Sequence, residues 1–226
     1  MAPRIVSLVP SMTETLLAWG IVPIACTRFC EQPDLPHVGG TKDPDVEAIA
    51  GLAPDLVIVD AEENRREDHD ALVDRGVAVH VLRITSVDDV DEQLGPLAAQ
   101  LGASWEPVST TPATPAAPTT TAFVPIWRRP WMALGAPTYG SSLLGSLGVA
   151  NVFADGGPYP QTTLDAAASR SPDVVLAPSE PYPFAERHRA ELSSVAPVVF
   201  VDGQDLFWWG SRTRLARARL RRAITG

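Results

Sequence analysis

Pro54-Asp55-Leu56-Val57-Ile58 and Pro172-Asp173-Val174-Val175-Leu176 stand 118 residues apart, and they decide the fold. Each is a short apolar run with β-branched residues behind a Pro-Asp pair that ends the preceding helix, so each reads as a buried parallel strand. The same offset pairs Glu47 with Asp165 and Glu62 with Glu180, and it brings Val79 to Leu82 close to Pro197 to Phe200. Self-similarity at a fixed offset points to an internal repeat. Earlier segments correspond at a looser offset: Leu8-Val9-Pro10 resembles Phe123-Val124-Pro125, and Leu16 to Gly20 resembles Leu143 to Gly148. Each half therefore reads strand, helix, strand, helix, strand, helix, strand. That alternation predicts an α/β protein of two Rossmann-like lobes with parallel sheets flanked by helices and a ligand cleft between the lobes.

The lobes are expected at 1–86 and 123–226. Between them, residues 87–122 form a connector. Val87 to Leu101 is helical by pattern but interrupted by Gly95-Pro96, and Ser109 to Thr121 is a Pro/Thr-rich run that predicts an extended linker. In the first lobe, Ser11 is the expected N-cap of a helix, with Glu14 completing the capping pattern and Gly20 as the stop. Arg212 to Ile224 reads as a solvated, arginine-rich terminal helix.

Ligands of parallel sheets meet the loops beyond the carboxyl ends of strands, which selects 9–11, 60–64, 125–131 and 179–184. Aromatic residues crowd those loops in the second half, at Ile126-Trp127-Arg128-Arg129-Pro130-Trp131-Met132, Glu180-Pro181-Tyr182-Pro183-Phe184 and Leu206-Phe207-Trp208-Trp209-Gly210. Rigid rings at loop ends suit a flat apolar ligand. The paired acids Glu62 and Glu180 lack a nucleophile, base or metal set beside them, and no phosphate loop, dinucleotide fingerprint or paired-histidine helix occurs, so the chain is not expected to be an enzyme. His37, His69, His80 and His188 are scattered, with solvent the default for His69 and His188. His37 with Cys30 and Glu31 is the weak alternative as a metal set.

A net charge of -9 and a pI of about 4.9 argue against nucleic acid as a partner. Met1-Ala2-Pro3-Arg4 runs straight into Ile5 to Val9, which leaves no room for a leader and predicts a cytoplasmic monomer. An omitted leader would instead place it in the periplasm or at the cell surface.

The chain resembles the vitamin B12 and ferric-siderophore class of solute-binding proteins of ABC transporters, in particular the helical backbone metal receptors. The carriers are Leu8-Val9-Pro10-Ser11-Met12-Thr13-Glu14, Val38 to Pro44, Leu52 to Val57, Ile126 to Met132, Thr138-Tyr139-Gly140, Asn151 to Asp155 and Glu180-Pro181-Tyr182. The resemblance implies two lobes joined by a long helix, and a cleft that takes cobalamin, haem or a ferric siderophore and presents it to an ABC permease, with no covalent cofactor. It implies ligand contacts from Ser11, Phe29, Thr41, Glu62, Trp127, Trp131, Glu180, Tyr182 and Trp208, and permease docking through Glu47 and Asp165. The sequence departs from this pattern at Gly95-Pro96, at the Pro/Thr run and in the missing leader. A cytoplasmic carrier, a chelatase-like enzyme and a degenerate regulatory module are the competing readings.

Overall fold

The computed structural model describes residues 3–108 and 118–225 and contains two compact units. Unit 1 gathers the described residues of Met1–Ile84, Asp88–Val108 and Trp209–Arg212; unit 2 gathers those of Thr85–Val87, Ser109–Trp208 and Thr213–Gly226. Residues 109–117 of the Pro/Thr run lie outside the described residues.

Unit 1 is built on strands β1 (Ile5–Ser7), β2 (Ala25–Cys26), β3 (Leu56–Asp60) and β4 (Val79–Leu82), all parallel, in the order β2-β1-β3-β4. Its helices are α1 (Pro10–Ala18), α2 (Val46–Gly51), α3 (Arg66–Asp74) and nearly all of α4 (Val87–Gln100). Val6, Leu8, Val57 and Val59 pack with Ile49 and Leu72 as the core, which is why strands covered by helices read as unbroken apolar runs.

Unit 2 opens with β5 (Thr120–Phe123), followed by the hairpin β6 (Pro125–Trp127) and β7 (Trp131–Ala133), then α5 (Tyr139–Ser146), β8 (Val149–Asn151) and β9 (Gln161–Thr162). It continues with α6 (Leu164–Ser169), β10 (Val174–Pro178), α7 (Arg189–Leu192), β11 (Val198–Val201), α8 (Gly203–Phe207) and α9 (Thr213–Thr225). The parallel sheet runs β11-β10-β5-β8, the same path as in unit 1 with β5, β8, β10 and β11 in the places of β1, β2, β3 and β4. Its core gathers Phe123, Val175, Ala177, Phe153 and Leu192.

The repeat is more regular than the sequence comparison suggested. β10 and α6 begin 118 residues after β3 and α2. Val6 pairs with Val57 and Phe123 with Val175, so the first strands are related by 117 residues and not by the looser offset of Leu8 onto Phe123. The two-residue difference is hidden in the sequence because strand side chains repeat every second residue, and either alignment matches buried positions to buried positions. The Pro-Asp pairs also share a device. Arg4 N–H donates to Asp55 Oδ2 and Thr121 N–H to Asp173 Oδ2, both at 2.7 Å, so each aspartate fastens the start of the neighbouring strand.

Four expectations change. The first helix begins at Pro10 with Val9 as its cap residue, not at Ser11, because a proline needs no N–H in the first turn. Glu14 forms no capping box; it makes a two-pronged pair with Arg212, both bonds at 2.8 Å. Helix α4 continues through Gly95-Pro96, held by buried Leu94, Leu97 and Ala98 while the Pro96 ring faces solvent. Residues 125–131, expected as a loop, form most of an antiparallel hairpin that β9 extends into a three-stranded sheet.

Candidate binding site

In a sheet ordered β2-β1-β3-β4 the chain path reverses between β1 and β3, and the loops leaving the carboxyl ends of those two strands diverge to opposite faces. Unit 1 places Ser11 after β1 and Glu62 after β3; unit 2 places Trp127 and Trp131 after β5, and Glu180 and Tyr182 after β10. Six of the nine candidates thus stand at a switch point of their own sheet.

Ser11 is 1% exposed and its hydroxyl has no hydrogen-bond partner, the one such buried side-chain atom among the described residues. A buried polar atom without a partner costs about 1–3 kcal/mol, so this hydroxyl is an open hydrogen-bonding position at the switch point. Thr41 and Glu62 meet through Asn64 and Lys42. Asn64 Nδ2 donates to the carbonyls of Leu8 (3.1 Å) and Thr41 (3.0 Å), and its Oδ1 accepts from Asp60 N–H at 2.8 Å. Lys42 Nζ donates to the Glu62 carbonyl at 3.0 Å, and the Glu62 side chain is exposed. Asn64 is therefore the clasp of this loop cluster, a role that a lone asparagine does not announce in sequence.

Asp60, at the end of β3, is 1% exposed and accepts from the N–H groups of Glu62, Glu63 and Ile84 at 2.8, 3.3 and 3.2 Å. Burial pushes its carboxyl up to about 6, against the opposing pull of those three donors. Phe29 is half exposed beneath the Arg28 guanidinium, 4.7 Å from its ring centre. Its turn is fixed by Cys30, whose sulfur lies 3.2 Å from the hydroxyls of both Thr13 and Thr27. Bonds from Cys26 and from those hydroxyls hold the Cys30 thiol below its ordinary range. His37 turns instead to the Gln32 carbonyl at 3.0 Å, so Cys30, Glu31 and His37 do not assemble, and no group of three or more potential metal ligands occurs among the described residues.

Unit 2 gathers its aromatic residues into one cluster. Trp127 meets Tyr182 edge-on at 5.7 Å, Tyr182 meets Phe184 at 4.7 Å, and Phe184 stacks on Trp131 at 6.0 Å with planes 5° apart. Trp127 keeps 44% of its surface exposed, an open aromatic face beside a packed one. Trp208 joins separately, donating from Nε1 to Glu180 Oε1 at 2.8 Å, while Gly203 permits the close approach of the Glu180 backbone, since a Cβ there would sit 2.6 Å from Glu180 N. His188, expected in solvent, is 5% exposed under Tyr182 and Phe184. Its Nδ1 accepts from Ala185 N–H at 3.1 Å, and desolvation lowers its pKa, so it packs as a neutral ring. The helical charge pattern around it concealed this, because the 3-10 turn Glu186–His188 rotates the ring inward.

Glu47 and Asp165 occupy equivalent first-turn positions of α2 and α6, whose caps Asp45 and Thr163 accept from Ala48 and Ala166 N–H. Both acids are exposed; Glu47 is paired with Arg75.

The family described as periplasmic binding protein matches residues 5–106. A vitamin B12-binding protein from Salmonella choleraesuis is 25% identical over 197 residues, covering 77% of this chain and 72% of its own length. Over residues 5–106 the chain is thus similar to the periplasmic binding proteins. Two solved structures of such proteins carry its fold: the periplasmic vitamin B12 binding protein BtuF of Vibrio cholerae (TM-score 0.79, 22% identity, 99% of this chain and 97% of that one) and the periplasmic heme-binding protein BhuT (TM-score 0.81, 22% identity, 99% and 98%). The fold of those two structures is thus the fold of this chain.

Proposed function

We propose that this chain is a solute-binding protein for a metal-centred macrocycle, with a corrinoid such as cobalamin first and haem or a ferric siderophore as the other members of the class. It binds and releases its ligand without chemical change and delivers it to an ABC permease. The observation that carries the reading is the ring cluster Trp127, Tyr182, Phe184 and Trp131 at the switch point of unit 2, with Trp127 left half open. Flat apolar faces held rigid by their neighbours favour a flat apolar ligand, at about 0.5–1.5 kcal/mol per ring contact beyond area burial. Relatives named for vitamin B12 and heme support the ligand class. In unit 1 the Ser11 hydroxyl and the Thr41, Glu62 and Phe29 loops contribute the polar contacts, and Glu180 and Trp208 hold the matching loop of unit 2.

Permease docking falls to Glu47 and Asp165, one exposed carboxylate per unit at the same place in the repeat. Because the relatives are named periplasmic, the reading places the protein's work outside the cytoplasmic membrane.

The test is a titration of the purified chain with cyanocobalamin, haemin and a set of ferric siderophores, followed by ligand absorbance and tryptophan fluorescence. The reading expects saturable quenching with at least one of them. A flat response to all would overturn it. Asp165→Ala and Glu47→Ala are expected to leave that affinity unchanged while lowering transport in reconstituted vesicles. Weakened ligand binding in either variant would remove the docking assignment.

A further inference from the structure

Unit 1 holds a cavity of about 310 Å³ that none of the candidate aromatic residues line. Its floor is one face of the sheet edge, made by Val59 near the end of β3 with Ala61 just beyond it, and by Val81 in β4 with Arg83 just beyond it, Val59 and Val81 being paired in register; Asp60 and Asn64 line it too. The N-terminal part of α3 closes it with Arg65, Arg66, His69 and Asp70. Val81 is 48% exposed because the cavity opens above it.

The acids of the rim are already engaged. Asp70 lies 2.8 Å from His69 and 3.8 Å from Arg66, Asp68 pairs with Arg65 at 3.2 Å, and buried Asp60 accepts from three backbone amides. Arg83 is different. Its backbone is clamped on both sides by the Gln93 amide, at 2.9 and 2.6 Å, and its guanidinium has no partner among the described residues. A fixed backbone position just past β4 with an unengaged five-donor fork beside an apolar floor is suited to a carboxylate that carries a compact apolar body.

We infer that this cavity is a second binding site, for a small aromatic or branched monocarboxylate, with the carboxylate on Arg83 and the apolar body on Val59, Ala61 and Val81. Its volume lies at the low end of small-molecule pockets, about 300–1,000 Å³, which suits a benzoate-sized molecule and is too small to enclose a corrinoid or tetrapyrrole. The cavity adjoins the Asp60 and Asn64 clasp of unit 1 and shares no residue with the aromatic loops of unit 2.

Calorimetric titration of the full chain with benzoate is the test. Saturable binding is expected, weakened about tenfold in Arg83→Gln, whose unfolding midpoint should match the parent because Arg83 is exposed. Trp131→Ala should bind benzoate as the parent does, and benzyl alcohol, which keeps the ring and lacks the charge, should bind at least as weakly as benzoate does to Arg83→Gln. No saturable heat at millimolar benzoate, or equal affinity in Arg83→Gln, overturns the site. Loss in Trp131→Ala with retention in Arg83→Gln assigns benzoate to the aromatic loops and also overturns it, without touching the macrocycle reading.

Discussion

Ser11 sits in the first turn of α1, just after β1, with a hydroxyl that has no hydrogen-bond partner among the described residues. Replacing it by alanine removes an unsatisfied buried oxygen, so Ser11→Ala is expected to hold or raise stability by up to about 1 kcal/mol in urea unfolding while weakening the ligand. A marked loss of stability would show that the hydroxyl has a structural partner. Asp60 offers a second test. Its folded-state pKa of about 6 lies above the ordinary carboxylate range, so the folded chain keeps a proton that the unfolded chain has released. Its contribution to stability is complete below the unfolded value and is lost as pH rises through about 6. A carboxyl carbon resonance of Asp60 titrating near 6 is expected, and the fall in stability across that window should flatten in Asp60→Asn. Neither feature was legible in sequence. Ser11 was a ligand candidate only by resemblance, and the capping pattern misassigned it as a cap because serine is a favoured N-cap and the competing proline stood one residue earlier.

Among the elements, α4 is where local propensity and tertiary packing disagree. A proline inside a helix removes one hydrogen bond and crowds the preceding turn, yet α4 runs from Val87 to Gln100 because its buried face outweighs that cost. Pro96→Ala is therefore expected to stabilise the chain by about 1–2 kcal/mol, read as a higher denaturation midpoint, since the exposed ring makes no packing that alanine would lose. A lower midpoint would mean that the proline is part of the helix's fit. The strands show the opposite case. Pro54 to Ile58 and Pro172 to Leu176 were readable at once, because a buried parallel strand is an unbroken apolar run with few alternatives. The hairpin at Trp127 and Trp131 was not, because its short strands sit among turn-forming residues and are completed by β9, some thirty residues further on.

At the level of the whole molecule, two copies of one strand path carry two different loop chemistries. Unit 1 places a clasp of amide and carboxylate groups at its switch point, centred on Asn64 and Asp60; unit 2 places stacked rings there. The repeat was legible because apolar periodicity survives divergence. The division of labour between the copies was only half legible, since aromatic runs stand out in sequence and hydrogen-bond hubs do not. The direct measurement is the dissociation constant, by fluorescence titration, of the tightest-binding macrocycle for the parent, for Ser11→Ala in unit 1 and for Trp131→Ala in unit 2. The account predicts weaker binding in both variants with the folded structure intact; parent affinity in both would contradict it.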